Sequence, residues 1–131
     1  MHALILKGIW RQCMKSREKD LVRLEHMREA IVLIEDFSEG ADYEKLSNDL
    51  MMQSAIIRQF EIIGEAAANV SYALKESYPN VEWTTIKDFR NLLIHEYFRV
   101  DVGEVLSAIN KDVPVMKKQI GPIIEELQSS I

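Results

Sequence analysis

A chain of 131 residues is long enough for one domain with a hydrophobic core and leaves no need for a second domain. Hydrophobic residues make up 47% of it and charged residues 28%, with only 5 Gly and 3 Pro, which excludes a disordered or turn-rich protein and favours an all-α fold. The formal net charge of -5 excludes indiscriminate binding of nucleic acid, because such binding depends on an excess of lysine and arginine. Any contact with nucleic acid must therefore be local.

Residues 1–17 are set apart as an N-terminal extension, and residues 18–128 are expected to form the main helical domain. The opening apolar run is broken by Lys7 and Gly8 and lacks a basic leader, so it predicts neither a signal peptide nor a membrane span. We therefore expect a cytoplasmic protein and assign no function to the extension.

The cysteine and histidine patterns do not indicate a metal site. Cys13 is the single cysteine, which excludes an intramolecular disulfide and favours an incidental or buried thiol over a reactive one. His2 and His26 have no acidic or histidine partner at metal-ligand spacing, so both are interpreted as surface or helix-face residues. No metal and no cofactor are expected.

Apolar residues recurring at three and four positions predict a first helix from Glu18 to Phe37. A second, long helix is predicted from a cap at Ser47 or Asn48 to about Tyr78, because Pro79 and Asn80 follow it. The core-facing residues of the first helix are Leu21, Leu24, Met27, Ala30, Ile31 and Ile34. Those of the second are Ile57, Phe60, Ile63, Gly64, Ala67, Ala68 and Ser71, opposite a polar cluster of Arg58, Glu61, Glu65 and Asn69.

Gly64 is the unusual residue of the second helix. A glycine inside a helix costs about 1 kcal/mol relative to alanine, so its presence indicates a close approach of another helix. The alternative is a simple tolerance of small residues, since Ala66, Ala67 and Ala68 follow directly.

A third helix is predicted to begin near Trp83 or Thr84 and to bend or end near Val100. Asp101 is well placed to cap a last helix, with a kink at Pro114 and a weaker continuation to Leu127. The third helix would bury Ile86, Phe89, Leu93, Tyr97 and Val100 on one seam. Four or five helices joined by short loops predict an up-and-down bundle.

The segment from Arg90 to Tyr97, RNLLIHEY, concentrates an arginine, an amide, an imidazole and a phenol. An arginine can bind two phosphate oxygens, and a histidine of near-neutral pKa can act as a general acid or base. RNA carries its own nucleophile, the 2'-hydroxyl. These residue types support the hypothesis that Arg90 holds a phosphate while His95 activates that hydroxyl, which would cleave RNA without a metal ion. A structural ion pair is the alternative.

On a helical wheel, the polar residues Asp88, Asn91, His95 and Arg99 share one stripe. Asn91 and His95 stand four residues apart, so Asn91 is expected to hold the imidazole ring. Arg90 lies about 140° around a straight helix from His95. The arginine's long stem, a local kink or a second copy of the helix is therefore needed to unite the two.

A two-fold dimer in which the polar stripes meet across a cleft would bring two arginines and two histidines together. Arg90 also requires an anionic partner if apolar neighbours desolvate it. Glu61 or Glu65 on the long helix is expected to supply that carboxylate.

RNLLIHEY resembles the HEPN superfamily, in which an arginine is followed after four to six residues by a histidine. It matches without departure the pattern R-N-x-x-x-H-x-Y of the HepT-like toxins within that superfamily. The segment IIGEAA around Gly64, Trp83, and the FRVD that follows Tyr97 are also similar, so the resemblance covers about Lys19 to Leu127.

The resemblance implies an all-helical bundle that forms a homodimer, with the motifs meeting at the interface. It further implies a metal-independent ribonuclease that is the toxin of a type VII-like toxin-antitoxin pair. Arg90 and His95 would be catalytic and Asn91 would support them. Tyr97 would receive AMP from an MntA-like nucleotidyltransferase antitoxin, a modification that silences the toxin.

Glu61, Glu65, Asp88 and Arg99 are supporting candidates at this site. From the residues alone, the apolar seam favours a role for Tyr97 as a core aromatic whose hydroxyl reaches the surface, and only the resemblance favours the modification. The expected partners are an RNA substrate, the antitoxin and a second copy of the chain, and no membrane. Two alternatives stand beside the ribonuclease: a non-catalytic helical module that docks a nucleotidyltransferase, and a helical dimer with a structural role only.

Overall fold

A computed structural model of the chain describes residues 2–92, 94–95 and 99–130, and these are almost entirely helical. A short antiparallel pairing of β1 with β2 separates the fifth and sixth helices. The elements are α1 (His2–Phe37), α2 (Tyr43–Ser47), α3 (Leu50–Asn69), α4 (Tyr72–Ser77), α5 (Trp83–Leu92), β1 (Ile94–His95), β2 (Arg99–Val100), α6 (Val102–Ser107), a π-helical turn (Ala108–Asp112) and α7 (Val113–Ser130). The predicted all-α class is confirmed.

One hydrophobic core lies where α3 packs against both α1 and α5, and where α7 packs against α1. Phe60 of α3 and Phe89 of α5 meet edge to face, with ring centroids 5.4 Å apart, an arrangement that aromatic pairs favour. The apolar stripe predicted for the first helix supplies Leu24, Met27, Ala30, Ile31 and Ile34, all of them buried. The core thus fixes α5 against α3.

The first helix begins at His2 and not at Glu18, so the N-terminal extension and the first predicted helix form one continuous α1. Among the described side chains ahead of Asp20, none is buried, and Trp10 is 66% exposed. The start of α1 therefore extends beyond the core. In the described part of the chain, no helix combines the length and the apolar character that crossing a membrane requires.

The long second helix was predicted wrongly, because the chain breaks at Val70 and Ser71 into α3 and α4. Asp20 of α1, buried to 4% exposure, accepts hydrogen bonds from the Ser71 N–H at 2.8 Å and from the Ser71 hydroxyl at 2.6 Å. The Ser71 hydroxyl oxygen in turn accepts from the N–H of Leu74 and so caps α4. A carboxylate from α1 thus stabilises the break.

The start of that helix was also misplaced. Asp49, and neither Ser47 nor Asn48, caps α3 by accepting a hydrogen bond from the N–H of Met52 at 2.9 Å. The preceding residues form the separate short helix α2, which Asp42 caps in the same way. Aspartate is as good a cap as serine or asparagine, so residue type alone did not distinguish these neighbours.

The motif helix begins at Trp83, as predicted, but ends at Leu92 and not near Val100. Ile94 pairs with Val100 across the antiparallel ladder, and His95 pairs with Arg99. A helix continued to Val100 would carry the chain about 12 Å beyond Leu92. The reversal instead returns Val100 to the core, against which it packs partly buried.

The C-terminal helices follow the prediction closely. Asp101 caps α6, since its carboxylate accepts a hydrogen bond from the N–H of Glu104 at 3.0 Å. The irregularity predicted at Pro114 is present as the π-helical turn directly before α7, where the N–H of Val113 donates to the carbonyl of Ala108. The wider turn accommodates a proline ring that would clash with an α-helical carbonyl four residues earlier. The helix then continues to Ser130, beyond the predicted Leu127.

Replacing Asp20 by alanine should destabilise the fold, because both Ser71 donors lose their acceptor in a site that water reaches poorly. The expected loss in free energy of unfolding is about 1–3 kcal/mol, measured by urea denaturation. Asp36→Ala, an exposed change on the same helix, should stay within about 0.5 kcal/mol of the wild type. Equal stability of the two variants would contradict the role given to Asp20.

Candidate active site

The position of Arg90 is set by a glycine on the neighbouring helix. A Cβ atom added at Gly64 would lie 2.8 Å from the backbone nitrogen of Arg90, 2.9 Å from the carbonyl oxygen of Lys87 and 3.2 Å from the Cβ of Arg90. These distances are shorter than van der Waals contact allows, so any larger residue would push α5 away from α3. The predicted close approach of another helix at Gly64 is confirmed.

The guanidinium of Arg90 forms a loose ion pair with Glu65, which follows Gly64 in α3. Its Nη1 atom lies 3.8 Å from Oε2 of Glu65, and the two side chains are 41% and 68% exposed. Exposed ion pairs of this kind contribute little to stability, so Arg90 is readily available to another anion. Of the two predicted partners, Glu65 is therefore the one that Arg90 contacts. Glu61 pairs with Arg58 instead, at 3.4 Å.

Arg90 opens onto a cleft of about 340 Å³ between α1, α3 and α5. Asn91, on the last turn of α5, lines the same cleft and is exposed. The α3 wall carries Glu61 and Glu65. Asp88 is exposed but does not line the cleft, so the structure does not bring it to Arg90 and Asn91.

Part of this cleft was not predicted from the sequence. Arg23 of α1 and Arg58 of α3 also line it, as does His26, which was placed only on a helix face. A signal was available, because Arg23 and His26 stand three residues apart and share a face of the predicted first helix. Among the described residues lining the cleft, three arginines stand against two glutamates, so its local charge is positive although the chain as a whole is acidic.

The helical spacing on which a contact between Asn91 and His95 was predicted is absent from the structure. The prediction assumed one helix through both residues, whereas α5 ends at Leu92 and His95 belongs to β1. The angle of about 140° between Arg90 and His95 on a straight helix no longer applies for the same reason. The side chains of His95 and Arg99, and all of Tyr97, lie outside the described residues.

In the ranges that the structure describes, no group of three or more histidines, cysteines, aspartates or glutamates is placed to hold a metal ion. The chemistry available in the cleft, within those ranges, is that of three guanidiniums, an imidazole, a carboxamide and two carboxylates. Such a set can bind a phosphate bidentately through an arginine and orient it through the amide.

Comparison with protein families gives a match over most of the chain. Residues 27–123 match a family model described as Ribonuclease HepT-like, and this range includes Gly64, Arg90, Asn91 and His95. The first 26 residues, which hold the exposed part of α1, lie outside the matched range. No solved structure matches the chain.

Individual relatives agree with that match. A probable ribonuclease HepT of Thermococcus cleftensis is 39% identical over 104 residues, which cover 79% of this chain and 93% of the relative. A candidate RNase of Methanocaldococcus jannaschii is 38% identical over 85 residues, 65% of this chain and 78% of the relative. A gamma-glutamylcyclotransferase and candidate RNase of the same organism is 35% identical over 109 residues, 83% of this chain and 49% of the relative. The chain spans about half the length of that last protein.

Gly64→Ala should separate α3 from α5 and lower the free energy of unfolding by about 1–2 kcal/mol, because the overlap with the Arg90 backbone outweighs the gain in helix propensity. Urea denaturation measures the loss. The matched control is Gly121→Ala in α7, where an added Cβ meets nothing within 4 Å and should stabilise by about 0.5–1 kcal/mol. A stabilised Gly64→Ala variant would refute the proposed close contact.

Proposed function

The chain belongs to the HepT-like ribonuclease family, and from this premise we propose that it cleaves RNA without a metal ion at a site formed by Arg90, Asn91 and His95. The observation that carries the proposal is the exposed Arg90, held against Gly64 at the mouth of a positively charged cleft. His95 follows directly after α5 in β1. Arg90, which would bind a phosphate, and His95, which would transfer a proton, are thus only five residues apart in the chain.

In the proposed reaction, the imidazole of His95 removes the proton of a ribose 2'-hydroxyl, and the oxygen attacks the neighbouring phosphorus. The bond from phosphorus to the 5'-oxygen breaks, which leaves a 2',3'-cyclic phosphate on one fragment and a 5'-hydroxyl on the other. Arg90 stabilises the charge that develops on the non-bridging oxygens. Its loose contact with Glu65, at 3.8 Å, is exchanged for the phosphate.

We include a homodimer in the proposal, because the reaction needs one group to remove a proton and another to deliver one to the 5'-oxygen. A two-fold axis beside the motif would place two imidazoles and two guanidiniums around one RNA strand. In this arrangement, groups from the two protomers would act on opposite sides of the scissile phosphate. Glu61, Asp88 and Arg99 are included as supporting groups in this proposal.

The proposal extends to regulation. Tyr97 follows His95 by two residues, so an AMP group on its hydroxyl would place a bulky phosphate close to the catalytic residues. An anion there would compete with RNA for Arg90 and repel the RNA backbone. We therefore propose a cytoplasmic toxin that an MntA-like nucleotidyltransferase antitoxin silences by modifying Tyr97.

His95→Ala and Arg90→Ala should each reduce cleavage of a defined RNA by about 100-fold or more, since His95 transfers the proton and Arg90 stabilises the charge that develops in the transition state. Cleavage by the wild type should persist in EDTA, and its products should carry cyclic phosphate ends, as detected by mass spectrometry. Arg28→Ala, an exposed change on α1 outside the cleft, is the control and should cleave normally. Full activity of folded His95→Ala would exclude the mechanism, whereas absence of cleavage by the wild type would favour the non-catalytic docking module.

Co-expression with a nucleotidyltransferase encoded beside this chain should add the mass of one AMP to each protomer. Tyr97→Phe should escape the modification and keep cleaving RNA in the presence of the transferase. Tyr72→Phe, which alters a 75% exposed tyrosine on α4, should still be modified. Finding the AMP on another residue, or no AMP with an active transferase present, would refute the switch.

A further inference from the structure

We propose that α1 carries an RNA-binding ridge, which leads the phosphate backbone of the substrate into the cleft at Arg90. This inference rests on the proposed cleavage of RNA. This basic ridge consists of Lys7, Arg11, Lys15, Lys19 and Arg23. Its first four members lie outside the core and all five lie outside the range that matches the family model. The ligand class is single-stranded RNA several nucleotides long.

The ridge arises from spacing. Its members recur at every fourth residue, and α1 is one continuous helix across all of them. Residues four apart are neighbours on a helix surface, separated by about 6 Å along its axis. Five cations therefore form a row about 24 Å long that winds about 160° around the helix axis. Residues 1–17 contain no acidic residue, against a net charge of -5 for the whole chain.

The ridge is unoccupied by internal partners. The side chains of Lys7, Arg11, Lys15 and Lys19 are exposed, and Arg23 is half-buried. Within the described part of the chain, none of the five takes part in a hydrogen bond or an ion pair. Unpaired cations in a row are what a polyanion requires, because each neutralised phosphate releases a counterion.

Arg23 connects the ridge to the candidate active site. It lines the cleft that holds Arg90, and it also lines a second depression formed with Lys15 and Lys19. Glu18 lies in that second depression as well, yet it forms no ion pair there within the described residues. Arg58, on the facing wall of the cleft, continues the positive charge toward Arg90. Arginines on α1, α3 and α5 therefore line the route from the ridge to Arg90, with the carboxylates of Glu61 and Glu65 beside them.

Trp10 strengthens the assignment to a single strand. It stands 66% exposed between Lys7 and Arg11 in the chain, and an exposed indole offers a surface on which an unpaired base can stack. A basic helix with an exposed tryptophan also suits an anionic membrane surface. The ridge favours RNA over lipid because it ends in the cleft, beside a phosphate-binding arginine.

The test uses the full-length protein and a 2'-O-methyl RNA of about 20 nucleotides, which binds but lacks the nucleophile. The variant Lys7→Gln/Arg11→Gln/Lys15→Gln should bind it more weakly, and the slope of log affinity against log salt should become shallower by about 2, since single strands contribute about 0.7 per phosphate contact. Arg28→Gln/Lys111→Gln/Lys118→Gln removes the same charge from other exposed positions and should retain the wild-type slope.

Cleavage separates this inference from the proposed function. A dinucleotide cannot span a row about 24 Å long, so the ridge variant should cleave it as the wild type does, while its KM for the longer RNA rises. The wild type could bind the 2'-O-methyl RNA with a steeper slope of log affinity against log salt than the ridge variant, yet cleave neither the dinucleotide nor the longer RNA. That result would refute the proposed ribonuclease and still support the ridge.

Two outcomes would overturn the ridge itself. One is a wild-type salt slope in the ridge variant. The other is unchanged RNA binding together with lost binding to phosphatidylglycerol vesicles, which would assign the ridge to a membrane surface. Because the three substituted side chains are exposed, the thermal unfolding midpoint should not change. Arg58→Gln, on the 67% exposed arginine of the cleft, gives an independent variant that does not touch α1.

Discussion

The contact between Gly64 and the backbone of Arg90 is the constraint on which the rest of the site depends. It brings α5 so close to α3 that a methyl group has no room between them. The same approach allows Phe60 and Phe89 to meet edge to face in the core. Glu65 follows Gly64 directly, so the residue that admits α5 also places a carboxylate beside the arginine that α5 carries. Packing and electrostatics at the site therefore have one origin.

The sequence was sufficient to predict features that depend on local periodicity and capping. The apolar stripe of α1, the start of α5 at Trp83 and the Asp101 cap all follow from residue type and spacing. The break at Ser71 could not be predicted in this way, because the acceptor that stabilises it, Asp20, lies 51 residues earlier in the chain. The course of the motif is similar: RNLLIHEY fits a helical wheel, but the return of Val100 to the core ends the helix at Leu92. The residue types of the motif were sufficient to predict its chemistry, but they did not predict the course of its backbone.

An acidic protein that binds RNA must concentrate its positive charge, and α1 shows how this chain could do so. The helix has two parts with different surroundings. From Leu24 onward its apolar stripe is buried in the core, whereas ahead of Asp20 its basic residues face solvent. Because the helix is continuous, the packed part fixes the direction of the exposed part relative to the cleft. Under the proposed function, the acidic remainder of the surface repels RNA elsewhere and so favours binding along this one path.

The proposed silencing by AMP fits the way in which Arg90 is held. A buried, tightly paired guanidinium would respond weakly to a new anion, because exchanging its partner would cost the desolvated ion pair. Arg90 is instead 41% exposed and 3.8 Å from Glu65, so its partner is easily replaced. Under the proposed function, the same looseness would make the arginine available both to RNA and to an AMP phosphate on Tyr97. The ends of the intervening segment are fixed, by the packing of α5 on one side and by the Asp101 cap on the other. Under the proposed silencing, a phosphate attached between these two anchors would remain tethered to the chain and would compete with RNA phosphates for Arg90 at a high effective concentration.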